Sequence, residues 1–274
     1  MHPSFIIQSD NGNAAQQQLF VHAGTQGISL MTLDTANNTV CDLVAYHFDP
    51  SMTTSASAEQ LKEIFAEEKL LQHSYKKTDI IYAFAESILT PHEIYNSISN
   101  HEMLDEVFGD AGMHIVKTDF MYRVNLHNVY RIPSAVHTVI SQQFTMANYT
   151  QQYSLLTEAL KGDGLFAVFG PNTVTIQLCM NNKLLLLQSF PYSVPEDAVY
   201  HLLSSCRNFD VPVSNVPLLL YGMIDKDSAL FTALYKYFLH IGFAGLPEAF
   251  TYPEAIHNYP AHYFSHLFAT ASCV

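Results

Sequence analysis

The chain has 274 residues, 12 Lys+Arg against 25 Asp+Glu, a net charge of −13 with His neutral, 49% hydrophobic residues and 14% charged ones. That apolar content excludes global disorder, and the length suits one large domain or two of roughly 150 residues. So few basic residues exclude the cationic stripe that releases counterions from nucleic acid, and they disfavour an anionic membrane surface; the densest basic spot is Lys76-Lys77.

Residues 1–18 have no cationic start and no long apolar run, so they read as a polar lead-in (Ser9-Asp10-Asn11-Gly12-Asn13) and not as a secretory signal. Short β-prone runs follow at 19–23, 28–33 and 40–48. Gly24-Thr25-Gln26-Gly27 and the turn residues 34–38 separate them, which predicts three antiparallel strands in succession. The period then changes: Leu61, Ile64, Phe65 and Leu71 lie near one face of a helix that Ser57 caps, with Gln60 three residues on. Ile80-Ile81-Tyr82-Ala83-Phe84 predicts an interior strand. Pro91 behind Thr90 predicts a helix that carries Ile94, Tyr95 and Ile98. Residues 103–108 read as a helical turn, and 115–124 and 129–132 as strands. Pro133-Ser134 opens a helix with Val136, Val139, Ile140 and Phe144 inward, and a helix over 153–160 ends at Gly162-Asp163-Gly164.

The opening order then returns. Residues 165–169 predict a strand, and Gly170-Pro171-Asn172 a turn. Val174, Ile176, Leu178 and Met180 alternate with Thr173, Thr175, Gln177 and Cys179, the period of a strand with one buried face. Asn181-Asn182 turns the chain into 184–190. Pro195 begins a helix with Val199, Leu202, Leu203 and Cys206 inward. Residues 216–221 form an apolar strand ending at Gly222, and Asp227 or Ser228 caps a long helix with Leu230, Phe231, Leu234, Phe238 and Ile241 in register. The longest apolar stretches, 184–187 and 216–224, suit buried strands and fall far short of the roughly 20 residues of a membrane helix.

Strand, strand, strand, helix, strand, helix therefore occurs twice. The offset is about 140 residues, far above the period of about 20–50 residues of a solenoid. This predicts two similar domains, 1–145 and 146–274, with the boundary near residues 145–164. Each holds a mixed sheet whose fourth strand, reached through a helical crossover, is parallel to the first. The duplicated order resembles the actin-like superfamily of sugar kinases, heat-shock chaperones and actin. More narrowly, the chain resembles a bacterial family of unknown function whose fold is actin-like. That likeness rests on Gln188-Ser189-Phe190-Pro191-Tyr192, Asp197-Ala198-Val199-Tyr200-His201-Leu202-Leu203, Leu218-Leu219-Leu220-Tyr221-Gly222-Met223-Ile224, Ser228-Ala229-Leu230-Phe231 and Leu234-Tyr235-Lys236-Tyr237-Phe238. It implies an α/β chain of duplicated ribonuclease-H-like domains with mixed sheets, the actin-like ATPase fold, and a nucleotide site between the domains.

The phosphate motifs of that superfamily are eroded here. Its first hairpin carries Asp-x-Gly-Thr, whose Asp organises Mg²⁺; the corresponding stretch is His22-Ala23-Gly24-Thr25-Gln26-Gly27. Its second hairpin carries Asp-x-Gly; here it is Val168-Phe169-Gly170-Pro171-Asn172-Thr173, and Pro171 lacks an N–H. Its adenosine loop has two adjacent glycines, where this chain has Gly222 and then Met223. Gly24, Thr25, Gly170, Asn172 and Gly222 are the residual nucleotide-site candidates. No residue is assigned a catalytic or metal-binding role, and no cofactor is expected. Without a carboxylate for Mg²⁺ the developing phosphoryl charge lacks its main stabiliser. The favoured reading is a non-catalytic, cytoplasmic, actin-like module, a pseudoenzyme that holds a protein partner or itself, with no nucleic-acid or membrane partner. The alternative is a weak ATP-binding protein, ATPase or small-molecule kinase that uses ATP and Mg²⁺ with carboxylates from other positions, such as Glu86 or Asp225. Sensing of nucleotide without hydrolysis is a third reading.

Cys41, Cys179, Cys206 and Cys273 form no C-x-x-C pair and read as reduced, mostly buried thiols. Among fourteen histidines the tightest group is His257, His262 and His266, of which the last two share a helical face; no H-E-x-x-H accompanies them. An aromatic tail (Phe250, Tyr252, Tyr259, Tyr263, Phe264, Phe268) suits internal packing, or in part an exposed anchor. Asp225-Lys226-Asp227 reads as a helix N-cap, and Glu86 as a solvated strand end.

Overall fold

The computed structural model describes residues 1–9, 14–110 and 112–274; Asp10-Asn11-Gly12-Asn13 of the polar lead-in lie outside them. The chain divides into two compact units: Met1–Ser154 with Glu248–Asn258, and Leu155–Pro247 with Tyr259–Val274. The sequence puts the division near residues 145–164, and the change of unit at Ser154/Leu155 lies in that range; residues 248–258 return to the first unit.

The first unit opens with β1 (Phe5–Ile7), β2 (Gln17–Gly24), β3 (Gly27–Asp34), β4 (Thr39–His47), α1 (Thr54–Glu67) and β5 (Lys77–Ala83). It continues through β6 (Ser87–Pro91), α2 (Asn100–Phe108), β7 (His114–Met121), β8 (Leu126–Pro133), α3 (Ser134–Gln143) and β9 (Asn148–Gln151); the chain leaves the unit within α4 (Gln152–Ala159). Among the described residues its main sheet has the order β1-β4-β3-β2-β5-β9, with β5 parallel to β2 and β9 parallel to β5. α1 begins where the Thr53 hydroxyl accepts the Ala56 amide, four residues before the Ser57 expected as its cap. Its stripe of Ala58, Leu61, Ile64 and Phe65 packs with Val136, Val139 and Ile140 of α3 over Leu19, Val21, Ile80 and Tyr82 of the sheet. Leu71 is not in α1; it lies in a following 3-10 turn. The segment 248–258 joins this unit at β4, where Thr251 accepts from the Val40 amide (3.0 Å) and donates to the Asn38 carbonyl (2.9 Å).

Residues 84–133 form an insertion with its own sheet, in the order β6-β8-β7. The helix expected at Pro91 is absent: Pro91 ends β6, the next residues form 3-10 turns, and Ile94 and Ile98 are 73% and 87% exposed. Proline suits an edge strand as well as a first helical turn, and β6 is an edge strand. The insertion is pinned by Arg131, whose side chain is 2% exposed. Its guanidinium donates to Glu86 (2.5 Å), Asp105 (2.8 Å) and the Gly109 carbonyl (2.8 Å), and lies 5.8 Å from the Phe108 ring. Glu86 is thus an ion-pair partner and not merely a solvated strand end.

The second unit repeats the opening order. β10 (Gly164–Phe169), β11 (Thr173–Met180) and β12 (Lys183–Pro191) lead to α5 (Pro195–Asn208), β13 (Leu218–Gly222), α6 (Ala229–Tyr235), β14 (Ile241–Phe243) and α7 (His262–Ala271). The sheet order is β12-β11-β10-β13-β14, with β13 parallel to β10 and β14 parallel to β13. Asn181 and Asn182 both have φ near +55° (53° and 59°), the backbone of a two-residue type I′ hairpin. Their amides donate to Asp163 (2.8 and 3.0 Å), and these two bonds hold its carboxyl below the usual range. Pro195 opens α5, and the Asp197 carboxylate reaches back to the Ser193 and Val194 amides.

Three expectations are corrected here. β11 is buried on both faces: Thr175, Gln177 and Cys179 are covered as well as Val174, Ile176 and Leu178. A second layer of Leu156, Leu160, Phe166, Cys179, Tyr221 and Ala244 lies on that side, and the Gln177 amide donates to the Leu160 carbonyl (2.8 Å). Residues 184–187 are not a buried strand, since β12 is a half-exposed sheet edge. The long helix after Ser228 stops at Tyr235; Phe238 enters the core beyond it and Ile241 belongs to β14. Ser228, not Asp227, caps α6 by accepting the Phe231 amide. Among the described residues no helix is long and apolar enough to cross a membrane.

Replacing Arg131 by Met leaves the Gly109 carbonyl without its donor, while Glu86 and Asp105, 44% and 42% exposed, rehydrate. The expected cost is about 3 kcal/mol, the low end for a broken buried ion pair. It should be read as faster amide exchange in α2 and β6 than in β2 and β5.

Candidate functional site

Gly24 and Thr25 stand at the β2–β3 hairpin of the first unit. Gly24 ends β2 opposite Ala83 of β5, and a Cβ there would lie 2.6 Å from the Ala83 carbonyl oxygen. The parallel partner therefore requires glycine, whether or not a phosphate is bound. Thr25 is exposed, and the Gln26 carbonyl accepts the Phe48 amide (2.9 Å). His22, which the resemblance sets against the superfamily's Asp, is buried in β2. Gly24 and Thr25 border a cavity of about 60 Å³ whose wall is otherwise mostly apolar, with Phe48, Met52, Leu61, Phe84 and Val136 among its residues. Its polar lining comes from Thr25 and from Thr54 and Ser57 of the first turn of α1. The volume exceeds the roughly 10–15 Å³ needed by one water, and the wall suits an apolar side chain better than a phosphate.

In the second unit the β10–β11 turn uses its own donors. The Gly170 amide donates to the Thr173 carbonyl (2.8 Å), and Pro171 has no N–H to offer. Tyr192 closes the turn from β12's end: its amide donates to the Asn172 carbonyl and its hydroxyl to the Gly170 carbonyl, both at 2.9 Å. Gly222 ends β13 opposite Phe169 with φ +78°, and a Cβ would run into the Phe169 carbonyl oxygen. That oxygen accepts the Met223 amide at 2.7 Å. The structure thus brings Gly24 together with Thr25 in one unit, and Gly170 and Asn172 with Gly222 in the other.

The carboxylates of the alternative reading are both engaged, Glu86 by Arg131 and Asp225 by the Tyr263 hydroxyl. Burial, with Asp225 beside it, pushes the Tyr263 phenol up to about 12. Two well-engaged acids escaped the sequence reading, the buried Asp79 and the half-buried Asp119. Asp79 in β5 accepts from Gln18 (2.6 Å) and Asn148 (2.9 Å) and pairs with Lys77 (3.2 Å). Asp119 in β7 accepts from the Gln151 amide (2.8 Å), Ser154 (2.9 Å) and Tyr130 (3.2 Å). Burial raises its carboxyl against those three bonds. An acid directly before Ile80-Ile81 was the available signal for Asp79; nothing local marks Asp119.

The three C-terminal histidines belong to two different units. His257 lies in the first unit's 254–258 turn, and His262 and His266 lie on α7 of the second. The His262 Nε2 donates to the Ile224 carbonyl (2.7 Å). Among the described residues no three His, Cys, Asp or Glu side chains are placed to share a metal. Phe264 and Phe268 are buried, so that part of the aromatic tail is core.

Residues 8–241 match a family model described as protein of unknown function (DUF3822). No curated protein matches the chain in sequence. A protein of Bacteroides thetaiotaomicron VPI-5482, described as having an actin-like ATPase fold and unknown function, superposes with a TM-score of 0.78 at 21% identity over 94% of this chain and 96% of that one. The PilM–PilN type IV pilus biogenesis complex gives 0.56 at 12% identity, over 95% of this chain and 99% of that one. The cytoplasmic domain of EpsL, an inner membrane component of the type II secretion system of Vibrio cholerae, gives 0.48 at 12% identity, over 85% and 91%. The chain has the actin-like ATPase fold.

Two measurements test this account of the site. Gly222→Ala meets both a positive φ and the Phe169 carbonyl, so it should lose about 2 kcal/mol or more in urea unfolding. His266, whose buried Nδ1 faces no partner among the described residues, is held by burial near pKa 4. Between pH 6.5 and about 4 the unfolded chain takes up a proton that the folded chain refuses, so stability falls as pH drops through that window. The loss is on the order of 3 kcal/mol, and His266→Leu should abolish that part of the pH slope of the unfolding midpoint.

Proposed function

The chain belongs to the DUF3822 family, and from that premise we propose that it is a non-catalytic actin-like module that holds a protein partner. One observation carries the reading. At both hairpins where the fold handles phosphate and Mg²⁺ in its catalytic members, this chain has no carboxylate, and the second hairpin spends the Gly170 amide within its own turn. Charge developing on a transferred phosphoryl group is stabilised chiefly by metal ions and aligned N–H donors, and the absent hairpin carboxylates and the engaged Gly170 amide weigh against both. Gly24 and Gly222 are explained by close backbone approach, so their presence is not a sign of retained nucleotide binding.

The apolar cavity beside Gly24 and Thr25 favours a partner's aliphatic or aromatic side chain over a nucleotide. The similarity to PilM, seen with PilN in a biogenesis complex, agrees with a role in holding another protein. A cytoplasmic setting is part of the proposal, and it suits the free thiols of Cys41, Cys179 and Cys206.

Calorimetry and thermal unfolding with Mg·ATP test it. A nucleotide present at one hundred times its Kd would add about 2.7 kcal/mol of stability, so binding is readable as a shift in the midpoint. No shift and no ADP release are expected. Mg²⁺-dependent binding that Thr25→Glu abolishes would overturn the reading in favour of a nucleotide site. In the partner arm, a photo-crosslinking residue at position 25 should trap one defined protein in the native host. That product should disappear when Met52→Glu sets a carboxylate in the cavity wall.

A further inference from the structure

The two units differ at one sheet edge. In the first unit the outer edge of β4 is covered by β1, with Phe5 opposite Ala45 and Ile7 opposite Leu43. The equivalent strand of the second unit, β12, is the last in its sheet among the described residues. It is nine residues long, Lys183–Pro191, and mostly half-exposed. Edge strands of soluble proteins are usually short, charged or covered, because their outward N–H and C=O groups template further pairing. β12 has a single charge, Lys183, at its first residue, followed by four leucines.

The backbone of this edge can be oriented. The Tyr192 amide bonds to the Asn172 carbonyl, so alternation along the antiparallel ladder turns Phe190, Gln188 and Leu186 toward β11. The amide and carbonyl of Leu187 then point away from the sheet. Pro191 falls on an outward position, so it costs the existing sheet no ladder bond but offers no N–H to a strand added at that edge. A bulge places Leu185 between the partners of Leu178 and Cys179, so the regular ladder runs from Leu186 onward. Its side chains Leu186, Gln188 and Phe190 share one face; Leu186 and Phe190 pack on the core beneath α5, where Phe190 stacks on His201 at 4.5 Å, and Gln188 between them is exposed. Exposed apolar surface flanks that face, with Val194 48% and Tyr200 66% exposed at the start of α5.

We propose that β12 pairs antiparallel with β12 of a second copy of this chain, about a two-fold axis at Gln188, so that two sheets become one. The regular stretch is complementary to itself about that point. Rotation sets Leu186 opposite Phe190, apolar on apolar, and the exposed Gln188 opposite its own copy, where each amide both donates and accepts. The two Lys183 side chains then lie about ten residues apart along the strands, roughly 34 Å, far beyond the screening length. No charge ladder on β12 selects a foreign acidic or basic strand. Each copy carries −13, so long-range repulsion opposes association and salt should strengthen it.

Sedimentation of the full chain across micromolar to high micromolar concentrations tests the proposal. A monomer–dimer equilibrium is expected, tighter at high than at low salt, with exchange of the Leu187 amide slowing as dimer forms while the Phe190 amide is protected throughout. Gln188→Asp and Gln188→Lys, each at an exposed position that should leave the fold intact, put like charges directly opposite and should weaken the dimer at least about tenfold. Mixing the two variants should restore association as a heterodimer. A chain that stays monomeric throughout overturns the proposal, and so does a dimer indifferent to both charged variants. These outcomes are independent of nucleotide binding, so the proposed function stands or falls separately.

Discussion

Both units are built on one contact, the parallel pairing of the first strand of each sheet with the strand that returns from its crossover helix. β2 meets β5 from Gln18 to Gly24, and β10 meets β13 from Leu165 to Phe169. A parallel neighbour must be reached by a long connection, and burying the apolar faces of α1 and α5 offsets the entropy of closing it. Where the paired strands end, the backbones approach so closely that one partner is glycine: Gly24 against Ala83 in the first unit, Gly222 against Phe169 in the second. The two copies place that glycine on different members of the pair.

The same strand ends govern what the hairpins can bind. An actin-like phosphate loop needs free amides and a nearby carboxylate. Here His22 is buried in the strand that would carry one such acid, and the second turn closes on itself through Gly170, Thr173 and Tyr192. Other acids hold the first unit together. Asp79 ties β5 to Gln18 and Asn148, and Asp119 gathers Tyr130, Gln151 and Ser154. Glu86 and Asp105 neutralise the one arginine that the inserted sheet buries.

Duplication also sharpens what is not duplicated. The first unit carries an insertion of fifty residues, 84–133, and an extra edge strand. The second has only a short connection between β13 and α6 and leaves β12 at the margin of its sheet. These additions and omissions lie on surfaces, where a fold tolerates change, while the paired parallel strands retain their register.

Much of the architecture was legible from residue order. Hydrophobic period marked β2 to β5 and β10 to β13, Pro133 and Pro195 marked helix starts, and Asn181-Asn182 marked a hairpin, because each is a local signal of backbone conformation. Pro91 misled because proline fits an edge strand as well as a first helical turn, and the spacing of Ile94 and Ile98 imitated a helical face that is in fact exposed. Thr175 and Gln177 looked solvent-facing because alternation of polarity cannot reveal a second layer contributed by residues as distant as Leu160 and Tyr221. The glycines of the candidate site were visible, but not the carbonyls that require them. By itself, then, the sequence determined the element order, the duplication and the absence of an acid at His22 and Val168 of the two hairpins. Tertiary structure alone decided which buried charges meet, which strand edge stays open and what each glycine accommodates, because those depend on contacts between residues far apart in the chain.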